Sequence, residues 1–338
     1  MHFLVRSVEI SDQSSLYNLA RNETLLSLPP DADAITGLIQ KSTESFSTET
    51  PLKDAQYVFV LENLENNEII GESMVYATYG CPEHPYYYFN ILERTYTDPD
   101  LKKSVTHQVL QMEADTEPFS MTGGLVLDRR YRGHPDKLGT VIALTRFMYM
   151  GMFPSRFQER VISEVAEPLD ETGREPFWEA VGKKLTGLTF EEYISCIRQK
   201  NMSFIEKLFP KSDIFCCLLS PELWPSKNRV RKDVGQFACH IIEKIGFEYL
   251  NKAHLNGGPI YGVRLSDISI VRNGSFYRTD ICKDKQTNRS AFIGSMNNNR
   301  FAGGKFPCCV ESEKVFLPED VCHLLALRKE QPVFVCLV

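Results

Sequence analysis

The chain has 338 residues, of which 43% are hydrophobic and 24% are charged. This composition is ordinary for a globular protein, and the length is sufficient for two domains or one large one. The formal net charge of −6 disfavours general binding to nucleic acid. No stretch approaches the roughly 18 apolar residues of a membrane span, and the N-terminus lacks the apolar core of a signal peptide. We therefore expect a cytoplasmic protein with no membrane or nucleic-acid partner.

Ten cysteines are scattered along the chain. Two pairs are adjacent, Cys216-Cys217 and Cys308-Cys309, and the spacing C-x-x-C is absent. These spacings indicate neither a zinc site nor a disulfide framework. We expect reduced, buried thiols and no bound metal.

Strands and helices alternate in the N-terminal part of the chain. The pattern predicts a strand at Phe3–Val8, a helix from Ser11 or Asp12 to about Arg21, a helix at Asp33–Phe46, and a hairpin of Tyr57–Leu61 and Ile69–Thr78. The aromatic run Tyr86-Tyr87-Tyr88 fits a pocket lining or, as we favour, a strand with one solvent-exposed face. Polar residues around Thr95–Lys103 predict a loop.

The stretch Leu125–Phe153 combines a strand, a basic loop and an apolar helix. The β-prone run Leu125–Leu127 ends at Asp128, and the helix is predicted to begin near Gly139 or Thr140. The first turn of a helix has unpaired N–H groups and a partial positive charge, so it suits a phosphate group. The loop contains neither G-x-G-x-x-G nor G-K-[ST], and an ordinary solvated loop remains the alternative.

Glu164 lies inside a predicted strand, Glu159–Val165. A carboxylate beside an anion site could act as a base or bind a cation, and an outward-facing strand residue is the alternative. Helices are then predicted at Phe177–Gly182, Phe190–Arg198, Asn201–Leu208 and Val234–Ile245, and a strand follows at Phe247–Leu250.

The pattern changes near Ala253. Short β-prone segments follow at Ile260–Val263, Ile268–Arg272, Ser275–Thr279, Ala291–Ile293 and Lys314–Leu317, then a helix at Pro318–Arg328 and a strand at Pro332–Leu337. We predict an α/β (α+β) protein with a mixed sheet flanked by helices. Its domains would be residues 1–253 and a smaller β-rich domain at 254–338.

Many short stretches match one family in a single order along the chain. They include Tyr57-Val-Phe-Val-Leu-Glu62, Leu125-Val-Leu-Asp128, Arg146-Phe-Met148, Asp170-Glu-Thr-Gly173, Pro176-Phe-Trp-Glu-Ala-Val-Gly182 and Gly257-Gly-Pro259. On these residues the chain resembles the bacterial arginine N-succinyltransferases over most of its length. The order of elements looks like that of the acyl-CoA N-acyltransferase (GNAT) fold.

The resemblance implies a GNAT-like fold and a succinyl-CoA cosubstrate. It implies that Leu125 contacts the acyl-CoA and that backbone N–H groups of Leu125, Val126 and Leu127 stabilise the thioester oxygen. It also implies that the loop Arg132–Thr140 holds the pyrophosphate, with Arg132, Gly133, Gly139 and Thr140 as binding residues.

The family has a proton-donating histidine just before the late helix, where this sequence has Arg231. An arginine stays protonated near neutral pH and is no ordinary acid–base group. The sequence leaves two catalytic candidates, Glu164 and His240.

The expected function is therefore transfer of succinyl from succinyl-CoA to the α-amine of L-arginine, in arginine catabolism. Two alternatives stay open: a CoA-binding or amino-acid-binding regulatory subunit without catalysis, and an N-acyltransferase with another acyl donor or amine. A homo-oligomer is compatible with the sequence, which does not decide the point.

Overall fold

The structure is a computed structural model that describes residues 2–22, 28–47, 50–167, 170, 174–199, 201–232, 234–282, 287 and 289–337. Residues 171–173 of the matching stretch at Asp170 lie outside the described residues. The chain divides into two compact units. Unit 1 comprises Met1–Thr78, Phe119–Val161 and Arg264–Val338, and unit 2 comprises Tyr79–Pro118 and Ile162–Val263.

The strands of the described residues are numbered in chain order. They are β1 (Phe3–Ser7), β2 (Gln56–Asn63), β3 (Glu68–Tyr79), β4 (Tyr86–Asp98), β5 (Lys103–Asp115), β6 (Phe119–Leu127), β7 (Arg160–Glu164), β8 (Ile214–Phe215), β9 (Glu248–His254), β10 (Pro259–Arg264), β11 (Ser275–Ile281), β12 (Arg289–Asn297), β13 (Arg300–Glu311), β14 (Lys314–Leu317) and β15 (Pro332–Leu337).

The α-helices are numbered in the same way. They are α1 (Gln13–Asn22), α2 (Ala32–Phe46), α3 (Leu138–Met152), α4 (Lys183–Thr186), α5 (Phe190–Arg198), α6 (Ser203–Leu208), α7 (Val234–Lys244), α8 (Ser269–Asn273) and α9 (Glu319–Leu324). None of the helices in the described part of the chain is both long and apolar enough to cross a membrane. The ten cysteines carry free thiols, and half of them are buried.

Unit 1 is built on a mixed sheet with the strand order β12-β15-β11-β14-β13-β1-β2-β3-β6. The predicted hairpin is present, since β2 and β3 pair antiparallel. The apolar side of α2, with Ile35 and Ile39, packs against Val58 and Val60 of β2. The helix α3 is buried along most of its length, as expected of a helix without a polar face.

The C-terminal strands continue the sheet of the N-terminal strand. Strand β13 pairs antiparallel with β1, with Val5 opposite Gly303, and Phe301 packs edge-on against Phe59 at 5.3 Å between ring centroids. The two compact units therefore do not follow the contiguous division at residue 253. Composition changes near Ala253, but pairing places residues 264–338 with the first 78 residues.

Two predictions for the C-terminal part are wrong. Ile268–Arg272 is helix α8, with the Arg272 amide donating to the Ile268 carbonyl at 2.8 Å. Its backbone packs at Gly151 of α3, so tertiary packing overrides the β-propensity of isoleucine and valine. Strand β13 was missed because Gly303-Gly304 and Pro307 interrupt its pattern.

Unit 2 is built on strands in the order β7-β10-β9-β4-β5-β8. The loop predicted around Thr95–Lys103 is wrong, because β4 and β5 form one long hairpin whose pairing extends to Asp98 and Lys103. Hydroxyl pairs such as Thr95 with Thr106 at 2.9 Å join its exposed end. Both faces are polar there, so the strand period of two is absent from the sequence.

The core of unit 2 is aromatic. Trp178 stacks on Tyr193 with 3.9 Å between ring centroids, and Phe89 and Phe177 are fully buried beside them. The helical turn predicted at Phe177–Gly182 is present as a π-helix and continues as α4. It ends at Gly187, whose φ of 76° closes the helix in the left-handed region.

Candidate functional site

The segment from β6 to α3 has the predicted order of strand, loop and helix. The helix begins at Leu138, within two residues of the predicted start, and Lys137 precedes it in the left-handed conformation. The amides of Thr140 and Val141 both donate to the Lys137 carbonyl. The amides of Leu138 and Gly139 come before these first intrahelical bonds, in the turn where helices bind anions.

Charges in this loop are divided between paired and exposed arginines. Arg130 donates to Asp128 at 2.7 Å and to Glu68 at 2.5 Å, and this partner holds the pKa of Asp128 below its usual value. Arg132 is exposed, and its Nε donates to the Leu127 carbonyl at 3.3 Å. Gly133 has a φ of 76° with open space around it. Arg132 is thus better placed than Arg130 to meet a ligand anion.

A buried ion pair fixes the backbone of β6 just before Leu125. Gly124 has a φ of +61°, and a Cβ there would lie 2.8 Å from Oε1 of Glu72. Arg146 of α3 donates to the Gly123 carbonyl at 3.1 Å. Burial raises the pKa of Glu72 well above its usual value, although the charge of Arg146 opposes the shift. Glu72 on β3 and Arg146 on α3 therefore set the strand path that leads into Leu125.

Of the three β6 residues, Val126 is buried, whereas Leu125 and Leu127 are half-buried. The neighbouring strand β3 approaches closely, because a Cβ at Gly71 would lie 2.9 Å from the Val126 carbonyl. The sequence indicated a close approach or a bulge at Gly71, and the close approach is confirmed. Glu72, the next residue, was missed by sequence reasoning.

In unit 2, Glu164 is the centre of a polar cluster. It is the last residue of β7, and its Oε1 accepts a 2.5 Å hydrogen bond from the hydroxyl of Tyr86 on β4. The same oxygen lies 3.6 Å from Nε2 of His254 on β9. The Tyr86 ring stacks on the His254 ring at 6.3 Å between centroids. Three strands thus bring a carboxylate, a phenol and an imidazole together.

Asn256 and the turn after β9 hold His254 in place. Oδ1 of Asn256 lies 3.0 Å from Nδ1 of His254 and accepts a hydrogen bond from the Gly258 amide at 3.2 Å. Gly257, with a φ of +93°, makes the turn, and a Cβ there would lie 2.6 Å from Glu167. The Gly257-Gly-Pro259 stretch therefore has a local role: it orients the histidine that precedes it.

Glu175 and Arg231 extend the cluster. Burial raises the pKa of Glu175 to about 8, and the nearby charge of Glu164 adds to the rise. Hydrogen bonding from the Asn256 side chain and the charge of Arg231 act in the opposite direction. Burial also raises the pKa of Tyr193, again with help from Glu164. The cluster is rich in carboxyl groups, which suits a cationic ligand.

The tyrosine run is a strand, as we favoured, but it has no solvent-exposed face. Tyr86, Tyr87 and Tyr88 are all at most 6% exposed. Their hydroxyls meet carboxylates: Tyr86 donates to Glu164, Tyr87 to Glu206 and Tyr88 to Glu113. Buried phenols kept their alternation hidden, because both faces of β4 are covered here.

The two sequence-predicted catalytic candidates have different surroundings. Glu164 lies in the cluster, whereas His240 is on an exposed position of α7, and no hydrogen bond or ion pair reaches it from the described residues. Arg231 is half-buried at the start of α7, with its amide donating to the Ala166 carbonyl at 3.1 Å. Asp233, two residues on, lies outside the described residues.

His254 is the residue that sequence reasoning missed. One signal was available, its position immediately before the Asn256-Gly257-Gly258-Pro259 turn. Its partners Glu164 and Tyr86 are distant in sequence, so only the fold joins them. Among the described residues, no group of three or more His, Cys, Asp or Glu side chains is arranged to hold a metal ion.

A mixed sheet with a strand, a loop and an anion-binding helix start defines the class: acyl-CoA N-acyltransferases of the GNAT-like fold. Residues 3–270 match the model of the family described as arginine N-succinyltransferase beta subunit. The chain belongs to the arginine N-succinyltransferase family, whose members are CoA-dependent acyltransferases acting on small molecules.

Individual relatives agree with this family. The chain is 28% identical over 274 residues to the arginine N-succinyltransferase of Enterobacter sp. (strain 638), covering 80% of this chain and 78% of the relative. It is 28% identical over 291 residues to that of Yersinia pestis (strain Pestoides F), covering 83% and 79%. Its fold is similar to the solved structure of arginine/ornithine succinyltransferase subunit AI from Pseudomonas aeruginosa, with a TM-score of 0.83, 23% identity and coverage of 100% and 99%.

Proposed function

We propose that this chain transfers the succinyl group of succinyl-CoA to the α-amine of L-arginine, as its relatives are named for doing. The observation that carries the proposal is the β6–α3 segment, which presents free helix-start amides and an exposed arginine within the stretch that matches the family. Such a segment is suited to the diphosphate of a CoA thioester.

In this proposal unit 1 binds the acyl-CoA. The pyrophosphate is held by Arg132, Gly133, Gly139 and Thr140. Backbone N–H groups of Leu125–Leu127 stabilise the oxygen of the thioester as negative charge develops on it, and one such donor is typically worth about 3 kcal/mol in the transition state. The strand path fixed by Glu72 and Arg146 supports this role, because an oxyanion donor must be oriented before the reaction starts.

Unit 2 binds the amine in the same proposal. Arginine brings an ammonium group and a guanidinium group, and the Glu164 cluster offers carboxylate and imidazole acceptors. Cations and donors of this kind form strong charge-assisted hydrogen bonds with carboxylates. Glu164 is the proposed binding carboxylate for the amine. The free thiols of the chain fit a reducing compartment, and we place the reaction in the cytoplasm.

The experiment mixes purified protein with succinyl-CoA and L-arginine and follows N-succinylarginine by mass spectrometry, which avoids interference from the ten protein thiols. Acetyl-CoA and glutaryl-CoA test the acyl donor. L-Ornithine and agmatine, which lacks the carboxylate, test the amine. Product with succinyl-CoA and arginine above the other pairs supports the proposal, and a faster alternative pair corrects the donor or the amine.

A second candidate function is a CoA-binding protein without catalysis. It is favoured by Arg231, which occupies the place of the family's proton-donating histidine. Tight binding of CoA in calorimetry, together with no product from any donor–amine pair, would select this function over the transferase.

A further inference from the structure

The hydrogen bonds around His254 determine which of its nitrogens carries a proton. Oδ1 of Asn256 accepts from the Gly258 amide at 3.2 Å, so the atom that faces Nδ1 of His254 at 3.0 Å is an oxygen. An amide oxygen only accepts, and therefore Nδ1 must be the donor. In the neutral imidazole the other nitrogen, Nε2, is then an unprotonated acceptor.

This acceptor faces a second acceptor. Nε2 lies 3.6 Å from Oε1 of Glu164, and that oxygen already accepts the Tyr86 hydroxyl at 2.5 Å. Two acceptors facing each other lack a donor between them. The side chains of His254 and Glu164 remain 11% and 22% exposed, so a ligand can supply that donor. A protonated amine, which donates and does not accept, matches both atoms.

We propose that His254 is the catalytic base of this chain: its Nε2 takes a proton from the ammonium group of the acceptor amine, which Glu164 holds beside it. The inference rests on the proposed function and deepens it. It assigns the proton transfer to β9, not to the start of α7 where Arg231 stands and not to the exposed His240. Asn256 is a positioning residue, because it fixes the tautomer that leaves Nε2 free to accept.

The step balances as follows. One N–H proton of the ammonium moves to Nε2, and the nitrogen lone pair then attacks the carbonyl carbon of the thioester. The N–C bond forms, the C–S bond breaks, and CoA leaves as a thiolate with the electron pair. The imidazolium returns its proton, the thiolate becomes a thiol, and the second proton lost by the nitrogen is released. The products are the amide, free CoA and one proton, without an oxidant or a metal.

The groups that face His254 come from several elements, and each must be considered in a pH experiment. Glu164 is on β7, Tyr86 on β4, and Asn256 in the following turn. Glu175 lies beyond Asn256 and is influenced by Glu164 and Arg231. Variants that leave these groups in place isolate the imidazole.

The test compares His254→Asn and His254→Gln with the wild type, using the donor–amine pair on which the wild type is most active. Asparagine keeps a donor near the Nδ1 position for Asn256, and both variants lack the basic Nε2. A general base typically contributes about 10²- to 10⁴-fold, so we expect kcat to fall by that factor while KM for the acyl-CoA stays within about twofold. The matched control is His323→Gln, an exposed histidine of α9.

Two further readouts separate catalysis from structure. Below the pKa of the free amine, the rate of the variants should rise about tenfold per pH unit, because only amine already deprotonated in solution can react, whereas the wild-type rate should rise less steeply. Added imidazole should restore part of the activity of His254→Ala, which a purely structural defect would not allow. Melting temperatures confirm that each variant folds.

The possible results are distinguishable. A folded His254→Asn or His254→Gln enzyme with wild-type kcat overturns the role of His254 and leaves the transferase function intact. A large loss in His240→Gln, with His254→Gln active, transfers the role to α7. A wild type inactive with every donor–amine pair overturns the transferase function and this inference with it.

Discussion

The hydroxyl of Tyr86 shows how a single residue can tune the cluster in unit 2. It donates a 2.5 Å hydrogen bond to Glu164, and a donor of this kind stabilises the charged form of a carboxylate. A charged Glu164 is what an ammonium ligand requires. The effect of such a residue should therefore appear in the handling of the amine, not in that of the acyl-CoA.

Replacing Tyr86 with Phe tests this point. We expect the KM for the amine to rise about three- to tenfold, corresponding to one charge-assisted hydrogen bond of roughly 1 kcal/mol, with KM for the acyl-CoA unchanged. Steady-state kinetics with each substrate varied in turn measure both constants. Tyr88→Phe is the control, because that hydroxyl donates to Glu113 at 3.3 Å and not to Glu164. An equal change in both variants would contradict the assignment.

Glu175 gives a prediction about stability and pH. Burial raises its pKa from 4.5 to about 8, so the unfolded chain loses this proton near pH 4.5 and the folded chain keeps it to about pH 8. The unfolded state then binds fewer protons, and the free energy of unfolding falls as pH rises between these values. The fall should be on the order of 4 kcal/mol, and it should level off above pH 8.

Glu175→Gln removes the titrating group while keeping its shape. Urea denaturation at several values between pH 5 and pH 8.5 should show that the fall attributable to this group is absent in the variant. Exposed Glu191→Gln on α5 serves as the control and should follow the wild type. Parallel curves for wild type and Glu175→Gln would show that the carboxyl is already ionised in the folded chain.

At the scale of elements, the β6–α3 segment makes its own prediction about charge. Replacing Arg132 with Ala should weaken CoA binding about three- to tenfold at low salt and less at high salt, because ions screen an exposed contact. Titration calorimetry at two ionic strengths measures this. Arg130→Ala is a matched control, since Arg130 already pairs with Asp128 and Glu68. An affinity equal to wild type at both salts would remove Arg132 from the site.

The backbone of β6 gives a second prediction at this scale. Gly124→Ala places a Cβ at 2.8 Å from the buried Glu72 carboxylate in a left-handed conformation. Strain of roughly 1–2 kcal/mol and overpacking of roughly 1–3 kcal/mol should lower the free energy of unfolding. Gly133→Ala has the same sign of φ but open space around it, so its loss should be smaller, about 1 kcal/mol. Urea denaturation compares the two, and equal losses would show that Glu72 moves aside freely.

Elements whose signals are local could be predicted from the sequence. Helix α5 and strand β15 have the predicted bounds; α5 begins with a capping box between Thr189 and Glu192, which fixes its start. Helix α8 and strand β13 could not be predicted, because packing against α3 and pairing with β1 decide them. The site follows the same rule. The β6–α3 loop was visible in one stretch, whereas His254 gains its role from Glu164 and Tyr86, on strands remote in sequence.

At the scale of the whole molecule, the sheet of unit 1 makes the two ends of the chain depend on each other. Strand β13 covers the edge of β1, with Val5 opposite Gly303 and Arg6 opposite Ala302. The ring of Phe301 packs against Phe59 and, at 5.5 Å between centroids, against Tyr149 of α3. An uncovered edge strand pairs readily with other chains, so β1 needs the C-terminal strands.

A chain that ends at Ala253 therefore distinguishes the contiguous division at that residue from the two compact units. We expect the shortened chain to expose the β1 edge and the apolar surface around Phe59, to lose a cooperative melting transition and to associate into large particles. Calorimetry and light scattering measure these properties against the full chain. If the shortened chain instead melts cooperatively as a monomer, residues 1–253 are an autonomous domain, and the pairing of β13 with β1 is a dispensable addition. A rise in light scattering without a melting transition would locate the stability of unit 1 in the strand pairing between its first and last segments.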